Sequence, residues 1–125
     1  MRRVRSQDRR IISVGGDSNL LSLRHAILEL GGYEVWSTTN LSLASSFVRH
    51  VRCGVLLLCY STPEDWQKTL IRVFRESCPR GRIVGVMQRA NPYPSKDVDE
   101  LVFDTDRGEM LLKTLARGSE QDKVA

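Results

Sequence analysis

Three cysteines, two histidines and a scatter of carboxylates are the residues of this 125-residue chain whose chemistry could be put to use. Cys53, Cys59 and Cys78 show no CxxC spacing, and neither His25 nor His50 stands at a metal-motif distance from them. They therefore read as reduced thiols, two of them buried, rather than as a disulfide frame or a zinc site. Cys59 closes an apolar run and is the one candidate nucleophile or redox thiol. No neighbour in sequence would lower its pKa, however, and a buried cysteine is usually a small apolar filler. Asp17 and Asp104 are a candidate cation pair, but Asp17 is explained equally well as a helix cap. Glu64 and Asp65 fall in the first turn of a helix, where the dipole favours them without any catalytic role. Gly15-Gly16 lacks the later glycine of a dinucleotide loop, no Walker lysine is present, and the two histidines suggest no Ser-His-Asp set. No acid, base and nucleophile converge, so the expectation is a protein that is not an enzyme and holds no cofactor or metal.

The charge is placed unevenly. Arg2, Arg3, Arg5, Arg9 and Arg10 against Asp8 account for the whole net charge of +4, so the rest of the chain balances. Residues 1–9 are expected to form a basic, disordered arm. Such an arm is either a solvated terminus or a contact for nucleic acid or anionic lipid. The apolar share of 41% and charged share of 27% are those of an ordinary globular protein. No apolar run approaches the ~20 residues of a membrane span, and the arginine-rich start has no apolar signal core, so a cytoplasmic protein is expected.

These residues must be positioned by alternating elements. Residues 10–14 form a β-branched run that ends at Gly15-Gly16. Asp17 or Ser18 can cap a helix whose Leu20, Leu23, Ile27 and Leu30 make one apolar face up to Gly31-Gly32. A strand over 33–37 follows, then a helix from Asn40 with Leu41, Leu43, Ala44, Phe47, Val48 and Val51. Residues 54–59 are uninterrupted and apolar, as in a strand buried on both faces of a parallel sheet. Pro63 opens a helix to about Ser77 with Trp66, Leu70, Ile71 and Phe74 inward; Trp36 and Trp66 are read as packing. Strands over 83–87 and 101–103 precede a helix of about 108–117 with Met110, Leu111, Leu112 and Leu115 inward. Between those strands, two prolines in 89–96 oppose a regular helix. Residues 118–125 read as a frayed polar tail.

The expected fold is α/β, a single doubly wound five-stranded parallel sheet over residues 10–117. With strand order 2-1-3-4-5, the functional crevice lies at the carboxyl ends of the first and third strands, at Gly15-Gly16 and Cys59.

The succession from Ile11 to Asp17, then Gly32-Tyr33-Glu34-Val35, then Val55 to Pro63 resembles the receiver domain of two-component response regulators, a flavodoxin-like fold. The resemblance places that family's acidic pair on Gly15 and Gly16 and its phosphate-accepting Asp on Cys59. Its Ser/Thr falls on Met87 and its Lys on Asp104, so all five positions depart from the pattern. The fourth helix is expected to be shortened or missing. Phosphoryl transfer to a carboxylate needs Mg²⁺ held by oxygen ligands, which glycine and cysteine do not supply.

The expected function is therefore that of a pseudo-receiver: a stand-alone interaction module in bacterial signal transduction, binding another signalling protein without phosphorylation. Arg89, Tyr93 and Lys96 are the expected partner surface. The alternative is polyanion or nucleic-acid binding through Arg2, Arg3, Arg5, Arg9 and Arg10 on an α/β scaffold.

Overall fold

In the computed structural model of the chain, residues 9–87, 97–103 and 108–124 are described, with side chains as far as Arg117. The elements run β1 (Arg10–Val14), α1 (Ser18–Leu30), β2 (Glu34–Thr38), α2 (Leu41–His50), β3 (Val55–Cys59), α3 (Glu64–Ser77), β4 (Arg82–Met87), β5 (Glu100–Phe103) and α4 (Glu109–Val124). The strands form one five-stranded sheet in the order β2-β1-β3-β4-β5, every pairing parallel. The expected topology is the observed one.

Strand side chains alternate between two cores because successive residues point to opposite faces. Ile12, Val14, Leu56, Leu58 and Ile83 pack with Ala44 and Val48 of α2 and with Leu70, Val73 and Phe74 of α3. Ile11, Val55, Leu57, Val84 and Val86 pack with Leu28 of α1 and with Leu111 and Leu115 of α4. All five residues of β3 are buried, as a central strand covered on both faces must be.

The caps are local and legible. Asp17 accepts hydrogen bonds from the amides of Asn19 and Leu20, and Asn40 accepts one from Leu43. Gly32, at φ +93°, turns the chain out of α1 in the left-handed region.

Several side chains sit differently from their sequence pattern. The inward face of α1 is Leu21, Arg24 and Leu28, whereas Leu23 is 59% and Leu30 90% exposed. Leucines at both registers made two faces available, and the buried one has an arginine at its centre. Met110 is likewise exposed, while Thr114 takes a buried place on α4. Trp36 lies on the edge strand β2, partly exposed, its ring set edge-on to Phe47 at 5.3 Å. Trp66 is half-buried. All three cysteines, not two, are buried. Finally, α4 continues to Val124 instead of stopping near Arg117. One glycine, Gly118, lowers helix propensity by about 1 kcal/mol, too little to end a helix by itself.

Between β4 and β5 the described residues contain no helix: the chain enters β5 from a turn at Asp97. Asp99 fixes that entry, its carboxylate accepting from the amide of Ile83 at 2.7 Å and from Arg75 at 2.9 Å. Arg82 ties three elements together, donating to Glu100 at 2.9 Å and to the carbonyls of Thr114 and Leu115.

Candidate functional site at the carboxyl ends of β1 and β3

The order β2-β1-β3 places the carboxyl ends of β1 and β3 side by side, with the loops after them meeting over the sheet. There the β3–α3 loop is folded directly onto the β1–α1 loop. The amide of Gly16 donates to Ser61 Oγ at 2.9 Å, and Thr62 Oγ1 donates to the carbonyl of Val14 at 3.1 Å. The close approach needs glycine. A Cβ on Gly16 would overlap the carbonyl oxygen of Ser61, and one on Gly15 would lie 3.0 Å from Cys59 Cβ and 3.2 Å from Ser61 Oγ. Neither glycine has positive φ, so proximity rather than backbone conformation selects them.

Cys59 is buried at the floor of this junction, with Met87 buried at the end of β4. Ser61 Oγ donates to Cys59 Sγ at 3.2 Å, and Arg24 Nη1 donates to the same sulfur at 2.7 Å. The Arg24 guanidinium, itself 5% exposed as a residue, also lies over the Tyr60 ring at 5.9 Å from its centroid. A cation thus stands against the thiol for which no neighbour in sequence had offered one.

Arg24 was hidden because a charged residue among leucines reads as solvent-facing. The usable signal was its spacing from Leu21 and Leu28, three and four residues away on one helix face.

A second grouping escaped the sequence because its members lie on different elements. His25 Nδ1 is 2.7 Å from Ser37 Oγ, and His25 Nε2 is 3.4 Å from Glu29 Oε1. These residues line a cavity of about 450 Å³ between α1 and the end of β2.

The remaining candidates divide. Arg9 donates to the carbonyl of Gly32, and Arg10 pairs with Glu34 at 3.0 Å and donates to the carbonyl of Arg52. Both arginines are therefore engaged by the folded body. Arg2, Arg3, Arg5, Arg89, Tyr93, Lys96 and Asp104 lie outside the described residues, so the partner surface and most of the arm are not placed.

No protein-family model and no curated protein matches this chain. Solved structures match along nearly its whole length. A response regulator receiver domain protein (CheY-like) from Methanospirillum hungatei JF-1 superposes with a TM-score of 0.75 at 18% identity, covering 94% of this chain and 98% of that one. The fold is a receiver fold. A receiver domain protein from Clostridium thermocellum gives 0.74 at 14% identity over 92% and 97% of the two chains. The response regulator TrrA from Thermotoga maritima, in complex with Mg²⁺ and BeF, gives 0.74 at 19% identity over 87% and 97%.

The described part of the crevice does not suit the Mg²⁺ that a phosphorylated receiver would use. Gly15, Gly16 and Cys59, the positions to which the resemblance carries the family's carboxylates, present no oxygen-bearing side chain. Among the described residues no group of three His, Cys, Asp or Glu side chains converges as a metal site. Nor is any described helix long and apolar enough to cross a membrane.

Proposed function

We propose that this chain is a pseudo-receiver: a cytoplasmic signalling module that binds another protein of a signal-transduction pathway without being phosphorylated. The observation that carries the reading is the Ser61 carbonyl, which occupies the place of a Gly16 side chain. An acidic pair on Gly15 and Gly16 would have to displace that backbone before it could approach a metal. The acceptor position is a thiol in contact with a buried guanidinium, so both the chemistry and the space of an acyl-phosphate site are taken by other groups.

A receiver that responds to phosphate moves between two conformations, and the phosphate biases the balance. Here the two loops are already joined by Gly16–Ser61 and Val14–Thr62 hydrogen bonds. The domain is accordingly read as holding one dominant conformation and binding its partner constitutively.

The test has two arms. Incubation with acetyl phosphate and Mg²⁺ is expected to leave the intact mass unchanged; a stoichiometric gain of one phosphoryl group overturns the reading. Affinity capture from native cytosol is expected to retain the same partner with and without acetyl phosphate. Capture that depends on acetyl phosphate equally rejects it.

A further inference from the structure

Ser37, His25 and Glu29 lie in succession, hydroxyl, imidazole and carboxylate, on the wall of an open cavity. Glu29 lies one helical turn after His25 on α1, while Ser37 belongs to β2, which α1 covers. The His25–Ser37 separation of 2.7 Å is that of a strong hydrogen bond, and Glu29 Oε1 stands 3.4 Å from the nitrogen on the opposite edge of the ring. A carboxylate only accepts, so the tautomer that suits this contact carries its hydrogen on Nε2. Nδ1 then keeps its lone pair for the Ser37 hydroxyl. A nucleophile hydrogen-bonded to a base that a third group orients is the arrangement that activates serine.

We propose that Ser37 is an acylation site, with His25 as its general base and Glu29 as the residue that positions His25. The cavity of about 450 Å³ admits a small ligand, and its lining mixes Leu21 and Ala26 with the hydroxyls of Ser18, Ser22 and Thr39. Glu29, more than half exposed at the cavity wall, repels anions. The class of substrate that fits is a small, uncharged, activated carboxylic ester.

In the step, Ser37 Oγ attacks the carbonyl carbon as its proton passes to His25 Nδ1. The bond to the leaving oxygen breaks, and that oxygen takes the proton from Nδ1. The products are acylated Ser37 and an alcohol. Water, deprotonated by the same nitrogen, then releases the carboxylic acid and restores Ser37. No electrons are exchanged with an outside partner.

The experiment uses the full chain and an uncharged fluorophosphonate, which forms an oxygen–phosphorus bond with an activated serine and expels fluoride. Intact mass and peptide mapping are expected to find one adduct, on Ser37, and Ser37→Ala to abolish it. His25→Ala is expected to slow labelling by about a hundredfold, within the range of a lost general base. Glu29→Gln is expected to slow it by a smaller factor, and His50→Ala, at the far end of α2, to change nothing. Circular dichroism and thermal melting verify that each variant is folded. No adduct, an adduct elsewhere, or a folded His25→Ala protein labelled at the parent rate overturns the assignment.

Discussion

The guanidinium of Arg24 and the sulfur of Cys59, 35 positions apart in sequence, are joined at 2.7 Å inside the protein. α1 carries the arginine inward on the face that also holds Leu21 and Leu28, and β3 delivers the thiol at its last residue. The crevice of this receiver fold is therefore closed over a cation of its own.

That pairing changes what Cys59→Asp should do. A new buried carboxylate would normally be severely destabilising, but here it meets a positive charge already in place. Cys59→Asp is expected to remain folded. Arg24→Met, which keeps the volume, is expected to change stability by less than about 1.5 kcal/mol. The double variant should lose about 3 kcal/mol or more, because its carboxylate is buried without a partner. Urea unfolding of all four proteins gives the coupling; additive effects would refute it.

The glycines at the crevice should rank in a definite order. Gly16→Ala must push back the Ser61 carbonyl, a backbone atom, and is expected to cost about 1–3 kcal/mol. Gly15→Ala meets the Cys59 and Ser61 side chains at 3.0 and 3.2 Å and should cost less. Gly16→Asp is expected to carry the Gly16→Ala penalty and still bind no Mg²⁺ by titration calorimetry.

Stability should fall at high pH. Burial, reinforced by the neighbouring Cys78, pushes the Cys53 thiol far above its ordinary value of 9.0, and burial also raises Tyr33. Above that ordinary value the unfolded chain releases the Cys53 proton while the folded one retains it. Ionisation then draws the equilibrium towards unfolding. The melting temperature is expected to drop between pH 8.5 and 10.5, and Cys53→Ala should flatten part of that drop after its own cavity penalty is subtracted (roughly the interval around the free thiol and phenol values).

Asp99 gives the opposite limb. Burial opposes its ionisation, but hydrogen bonds from Arg75 and the Ile83 amide, with the charges of Arg75 and Arg82, outweigh it and lower its pKa. Its contribution is thus present above the ordinary 3.8 and is lost as the pH falls through the folded value. Asp99→Asn is expected to cost about 0.5–1 kcal/mol at pH 7, a small figure because over a third of the side chain faces solvent. The penalty should fade in acid; a penalty independent of pH would point to packing instead.

The elements and their caps were legible in the sequence because each follows from local pattern, whereas the strand order and the place of the crevice came from the topology of doubly wound sheets. The β-branched runs, Asp17, Asn40 and Pro63 punctuate the chain where the elements begin. The contents of the crevice were legible only by subtraction, as carboxylates that Gly15, Gly16 and Cys59 do not supply. What replaces them was not, because it depends on which of two leucine registers of α1 turns inward. Choosing Leu20, Leu23, Ile27 and Leu30 left Arg24 facing solvent, whereas the buried face brings it to Cys59. The same limit hid Ser37 from His25, since their contact crosses from helix to strand. Arg9 and Arg10 look like the continuation of a basic arm until Gly32, Glu34 and Arg52 are placed beside them.

The burial of every thiol has a practical corollary. Cys53, Cys59 and Cys78 are 0%, 3% and 6% exposed, so in the folded protein maleimide reagents find little sulfur to modify. A single cysteine introduced at an exposed site such as Ser46 would become the preferential attachment point for a fluorophore or spin label without removing any native cysteine. Distances from such a label could follow the two crevice loops in solution, making this fold a ready host for site-directed spectroscopy.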